Sequence, residues 1–134
     1  MTLVDTNVLL DVLSSDSAWF AWSLQNLARR SIEGPLLIND VVYAEMAARM
    51  ETAAMLADAL AELQVQLQRI PLEALFVAGK TFLRYRRTGG VRTGVLPDFF
   101  IGAHAQVAGL PILTRDTRRY RAYFPAVDLI APNG

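Results

Sequence analysis

Three short apolar runs in this chain each stop at polar residues. Thr2-Leu3-Val4 ends at Asp5-Thr6-Asn7, Leu36-Leu37-Ile38 at Asn39, and Pro111-Ile112-Leu113 at Thr114-Arg115-Asp116. Runs this short and this apolar read as buried strands. Helical stretches lie between them. Val8 to Leu13 is a short helix, and Ser15, Asp16 and Ser17 are N-cap candidates for one reaching about Arg30. Asn39 caps an alanine-rich helix from Val41 to about Leu63. Leu72 to Arg87 and Asp98 to Ala108 are helical, the second opened by Pro97 and closed by Gly109. Val65 and Leu67 alternate with glutamines as a weak strand, Thr88 to Gly94 is a glycine-rich loop, and Val127 to Ile130 is a last strand. Strands alternating with helices make an α/β fold with parallel pairing and right-handed crossovers.

The chain has 134 residues, 53% hydrophobic, which is enough for one core, and residues 1–134 are expected to form a single domain. No run approaches ~18 apolar residues without charge, so no membrane span is expected. The opening Met1-Thr2-Leu3-Val4-Asp5 carries no basic n-region, and a cytoplasmic location is the expectation. There is no cysteine, which excludes disulfides, thiolate metal sites and cysteine nucleophiles. His104 is the single histidine, so neither a multi-histidine metal site nor a Ser-His-Asp triad is expected. It lies six residues beyond Asp98, roughly 120° around a helix, and reads as a packing or surface residue.

In open parallel α/β sheets, ligands bind beyond the carboxyl ends of the strands. Asp5 and Asp116 sit there, and Asp98 opens a helix on the same rim. Glu45 lies between Val41, Ala44 and Ala48 on an apolar stripe, a costly place for an acid without a partner. Each has a plainer reading. Asp5 ends a strand in an Asx-turn, Asp98 complements a helix dipole, and Asp116 caps a helix. Taken together, four acids on one rim suit a hard cation such as Mg²⁺ or Mn²⁺. Without one they should raise one another's pKa.

Net charge is zero, but it is divided along the chain. Residues 1–73 hold ten acids and four arginines; residues 74–127 hold nine basic residues and two acids, Asp98 and Asp116. Arginine's planar fork suits phosphate, so Arg84, Arg86, Arg87, Arg92, Arg115, Arg118 and Arg119 are candidates for gripping a nucleic-acid backbone. Solvated faces or a salt-bridged dimer edge would use the same residues. Gly79-Lys80-Thr81 is not a P-loop, because the first required glycine is Ala74. A phosphatase-like use of Asp5 would want a second acid where Asn7 stands.

Four segments in order then carry a resemblance: Val4 to Leu9, Ile38 to Glu45, Leu96 to Ala105, and Leu113 to Tyr120. Together they resemble the motifs of PIN-domain ribonucleases, and the chain's small size is similar to that of VapC-type toxins of bacterial toxin–antitoxin pairs. The resemblance implies a three-layer α/β/α fold with a central parallel sheet of four to five strands. It also implies Mg²⁺- or Mn²⁺-dependent endoribonuclease activity leaving a 5′-phosphate and a 3′-hydroxyl, homodimerisation, and a cognate antitoxin. Asp5, Glu45, Asp98 and Asp116 are the implied metal ligands, with Asn7 and Thr114 as supporting polar residues. Asn39 departs from the family's frequent serine or threonine. A catalytically silent module binding RNA or protein is the alternative reading.

Overall fold

The computed structural model describes residues 1–132 except Asp16 and Thr93. The capping candidate Asp16, the loop residue Thr93 and the terminal Asn133 and Gly134 lie outside the described residues. The elements run β1 (Thr2–Val4), α1 (Thr6–Leu13), α2 (Phe20–Glu33), β2 (Leu36–Ile38), α3 (Asp40–Ala47), α4 (Ala53–Glu62) and β3 (Val65–Leu67). They continue through α5 (Leu72–Arg87), α6 (Leu96–Ala108), β4 (Ile112–Leu113), α7 (Arg118–Tyr123) and β5 (Leu129–Ile130).

The strands form one parallel sheet in the order β3-β2-β1-β4-β5, flanked by the helices as a three-layer α/β/α fold. The three expected apolar runs are its centre. Leu3, Val4, Ile38, Ile112 and Leu113 are wholly buried. Full burial of such side chains contributes about 1.5–3 kcal/mol each. The chain builds outward from β1 through β2 to β3, then returns to the other side of β1 for β4 and β5. The order therefore reverses between β1 and β4, where parallel sheets open a crevice.

Two helices differ from the sequence expectation. The alanine-rich stretch is two helices, not one. Ala48 ends α3, and Thr52 starts α4 by accepting the Met55 amide on its hydroxyl at 3.1 Å. The turn lets Val42 and Met46 of α3 and Leu56 and Leu60 of α4 all reach the core. Helix α2 begins later than the serines suggest, at Phe20, with no side-chain cap. Ser17 lies just ahead of the helix, where its hydroxyl accepts the Trp19 amide at 3.1 Å and donates to Asp11 at 2.8 Å.

Helix α6 is the scaffold for one acid. Pro97 stands in its first turn, and Gly109 ends it at φ 69°, a left-handed turn suited to glycine. Phe82 and Tyr85, late in α5, meet Phe99, early in α6. The end of α5 and the glycine loop therefore lie on the same side as the α6 N-terminus. Among the described residues, no helix is long and apolar enough to cross a membrane.

Candidate active site

Asp5 follows β1 directly and is 6% exposed. Its Oδ1 accepts the Thr6 amide at 2.8 Å, which starts α1. Its Oδ2 accepts the Thr114 hydroxyl at 2.7 Å, the Tyr120 hydroxyl at 2.9 Å and, weakly, the Asn7 amide nitrogen at 3.5 Å. Burial pushes the Asp5 carboxyl up; the hydrogen bonds from Thr114, Tyr120 and Thr6 only partly oppose this, and Glu45 adds repulsion.

Thr114 is fully buried at the end of β4 and acts as a relay. Its hydroxyl donates a hydrogen bond to Asp5, and its oxygen accepts from the Asp116 amide at 3.1 Å and from the Asn7 side-chain amide at 3.3 Å. Asn7 also accepts the Arg115 amide at 3.1 Å. Asp5, Asn7 and Thr114 thus form one network that sets the turn leading to Asp116. Glu45 is tied in through α1, its Oε1 accepting the Thr6 hydroxyl at 2.7 Å.

Asp98, in the first turn of α6, is pushed up to about 6, chiefly by burial and then by Asp5, with smaller contributions from Asp116 and Glu45. Arg119 opposes this, its Nη1 lying 3.6 Å from Asp98 Oδ2. The four acids therefore share one electrostatic field, but they do not all raise one another. Asp116 goes the other way. The Arg118 side chain and amide donate to it, and its carboxyl is held below the ordinary range. The sequence expectation of mutual elevation overlooked that neighbouring cation.

The setting of Glu45 also differs from expectation. The core stripe of α3 is Val42 and Met46, whereas Ala44 and Ala48 are exposed. Glu45 stands at the edge of an open apolar groove made by Val41, Ala44, Ala48, Leu96, Pro97 and Phe100. His104 is fully buried, and its Nδ1 faces the Asn39 side-chain nitrogen at 3.2 Å. Asn39 caps α3 through its Oδ1, which accepts the Val41 and Val42 amides.

The candidate arginines divide. Arg118 and Arg119 flank the acids. Arg84, Arg86, Arg87 and Arg92 are exposed on the last turn of α5 and the loop after it, with Arg84 over the Tyr123 ring. Arg115 points elsewhere, to the buried Asp11. Sequence reasoning missed Tyr120, Thr6 and Asp11. Tyr120 lies within the fourth motif, yet nothing in the order of residues marks a tyrosine whose hydroxyl meets Asp5. A polar tip on an otherwise apolar helix face was the available signal.

The family model of the PIN domain matches residues 2–125. The chain belongs to the PIN-domain family. Among solved structures, this PIN domain is similar in fold to VapBC2 from Rickettsia felis bound to a promoter DNA fragment, with a TM-score of 0.70, 14% identity, and coverage of 98% of each chain. VapBC-1 from nontypeable Haemophilus influenzae gives 0.71 at 15% identity, covering 97% of this chain and 96% of that one. A toxin–antitoxin complex from Klebsiella pneumoniae gives 0.64 at 22% identity, covering 99% and 98%. Among curated proteins, none matches.

PIN nucleases typically use a divalent metal. As the side chains stand, no three acidic or histidine groups among the described residues are drawn in to metal-holding distance. The donor set nevertheless fits a hard cation. The candidates are all carboxylate oxygens, and Asp5, Asp116 and Glu45 each add repulsion at Asp98 on top of its burial, with Arg119 opposing them.

Proposed function

We propose that this PIN domain is a Mg²⁺- or Mn²⁺-dependent endoribonuclease and the toxin of a toxin–antitoxin pair. The observation that carries the reading is the shared field of Asp5, Glu45, Asp98 and Asp116. These acids come from four separate parts of the chain; Asp5, Asp116 and Glu45 each add repulsion at Asp98, and Asp5 and Asp116 follow β1 and β4, the strands between which the sheet order reverses. Membership of the PIN family supports nuclease chemistry. The solved structures it resembles in fold include toxin–antitoxin complexes, which supports an antitoxin partner.

In this reading Asp5, Asp98 and Asp116 hold the cation, and Glu45 completes the acidic rim. A divalent cation bound there supplies Lewis acidity toward a phosphoryl oxygen and acidifies a water. The protein does the rest. Thr114 and Asn7 fix the Asp5 carboxylate and the Asp116 turn. Arg118 and Arg119 stand beside the acids, where incoming phosphate would compete for them. Arg84, Arg86, Arg87 and Arg92 grip the RNA backbone on the side from which α6 presents Asp98. The chain works as a homodimer in the cytoplasm. The apolar groove beside Glu45 is a surface that a protein partner would cover.

The test is incubation of purified protein with structured RNA in Mn²⁺ or in EDTA. Cleavage in Mn²⁺ that stops in EDTA is the expected result. Intact RNA after incubation with folded, Mn²⁺-supplied protein over a panel of structured RNAs would instead favour a silent binding module.

A further inference from the structure

Tyr120 is 1% exposed, and its ring lies in the core. A phenylalanine would serve that packing as well. What the tyrosine adds is a hydroxyl, and among the described residues its hydrogen-bond partner is Oδ2 of Asp5 at 2.9 Å. A buried hydroxyl is costly unless its proton finds an acceptor, and an ionised carboxylate is a strong one.

The donors on Asp5 are unevenly shared. Oδ2 takes two hydroxyls at 2.7 and 2.9 Å and a third, weak donor at 3.5 Å. Oδ1 takes only the Thr6 amide among the described residues. A carboxylate oxygen offers about two lone-pair directions. Oδ2 is therefore filled, and its donors turn the positive ends of their O–H dipoles toward it. A cation sharing that oxygen would face those dipoles. Oδ1 keeps an open direction.

We infer that Tyr120 is a positioning residue: with Thr114 it occupies Oδ2 of Asp5, so that Oδ1 is the oxygen this carboxylate presents to a divalent cation. Tyr120 thereby couples the docking of α7 to the orientation of an acid that follows β1. This rests on the metal reading above and adds to it a residue with no contact to the metal.

The test is Tyr120→Phe in the full chain, with Mn²⁺ affinity read by calorimetry and by the free Mn²⁺ resonance signal. Groups that orient a metal ligand typically change affinity by 10–100-fold, so a loss of about tenfold is expected while circular dichroism and cooperative unfolding persist. Tyr123→Phe, whose ring packs nearby against Tyr85 and Phe99, should bind Mn²⁺ as the parent does. A residue that only packs would change the unfolding temperature without moving the affinity. Equal affinity in folded Tyr120→Phe overturns the inference and leaves the metal reading standing. A parent protein that binds no Mn²⁺ overturns both. Should Tyr120→Phe lose its fold, Thr114→Val and Thr114→Ser carry the test through the other hydroxyl. Valine should lose about tenfold and serine stay near the parent, and equal affinities overturn the inference.

Discussion

Arg115 grips Asp11 with two nitrogens, Nε at 2.5 Å from Oδ2 and Nη2 at 2.9 Å from Oδ1. The pair clamps α1 to the turn after β4, the turn that carries Asp116. Ser17 and Ser23 donate to the same carboxylate, at 2.8 and 2.7 Å, and the Arg115 guanidinium lies over the Trp19 ring. An arginine that composition groups with the nucleic-acid candidates is thus engaged inside the protein.

The first prediction follows from that clamp. Asp11→Ala leaves Arg115 and two serine hydroxyls without their acceptor and should cost about 3 kcal/mol in chemical denaturation. Burial alone would raise the Asp11 carboxyl, but Arg115, Ser23 and Ser17 together hold it below the ordinary range. Its contribution is therefore present at neutral pH and lost as pH falls through its lowered folded value. A variant as stable as the parent at pH 7 would show the clamp to be idle.

The second prediction concerns the acids. Asp5→Asn and Asp98→Asn should each lower RNA cleavage by about 100-fold or more with the fold retained. An amide is a weaker ligand for a hard cation and leaves less charge at the site. Parental cleavage rates in both variants would place the chemistry elsewhere.

The third uses the elevated Asp98 carboxyl. Its folded value is about 6 against an ordinary 3.8, so the folded protein binds the extra proton and stability falls as pH rises from about 4 to about 6. Above that range the charged form carries the full penalty of burial and of Asp5. In EDTA, Asp98→Asn should therefore melt higher than the parent at pH 7.5. The gap should close as pH drops from 6 to 4. Melting curves across that range check it, and a gap independent of pH would contradict it.

The fourth concerns Gly102, which lies in α6 directly beneath Phe124. A Cβ there would sit 2.3 Å from the Phe124 ring. Gly102→Ala should cost about 1–3 kcal/mol, since the ring is enclosed and has little room to retreat. Equilibrium denaturation with an unchanged midpoint would refute this.

The fifth separates two uses of the exposed arginines. If Arg86 and Arg87 hold phosphates, the double substitution to alanine should weaken RNA binding and reduce the slope of log K against log salt by ~1.4. Metal affinity should stay as it was. Filter binding over a salt series, with sedimentation alongside, reads both quantities. An unchanged slope together with a fall in association between copies of the chain would assign these side chains to assembly.

Much of this was legible in the chain itself. The three apolar runs are the central strands because a stretch that short and apolar has no stable place except between two layers. Gly109 ends α6 and Asn39 begins α3 through local backbone chemistry, and local chemistry can be read locally. Pattern alone failed at Glu45. The stripe Val41, Ala44 and Ala48 satisfies helical spacing, but an apolar stripe does not say whether core or solvent lies across from it. It failed again at the start of α2, where Ser17 accepts the Trp19 amide and donates to Asp11, yet the helix itself opens only at Phe20.

By itself, the sequence determined the strand order along the chain and, apart from the break between α3 and α4, the helices between the strands, together with the carboxyl-end placement of Asp5 and Asp116 and an oxygen-only donor set. Periodicity, turn chemistry and composition carry that information over a few residues at a time. Only the tertiary structure decided the pairings across the chain: Thr6 with Glu45, Arg115 with Asp11, and Tyr120 with Asp5. These depend on which side chains are brought within about 3 Å after the sheet closes. In a buried, low-dielectric setting such neighbours govern charge and orientation, and no local pattern records them.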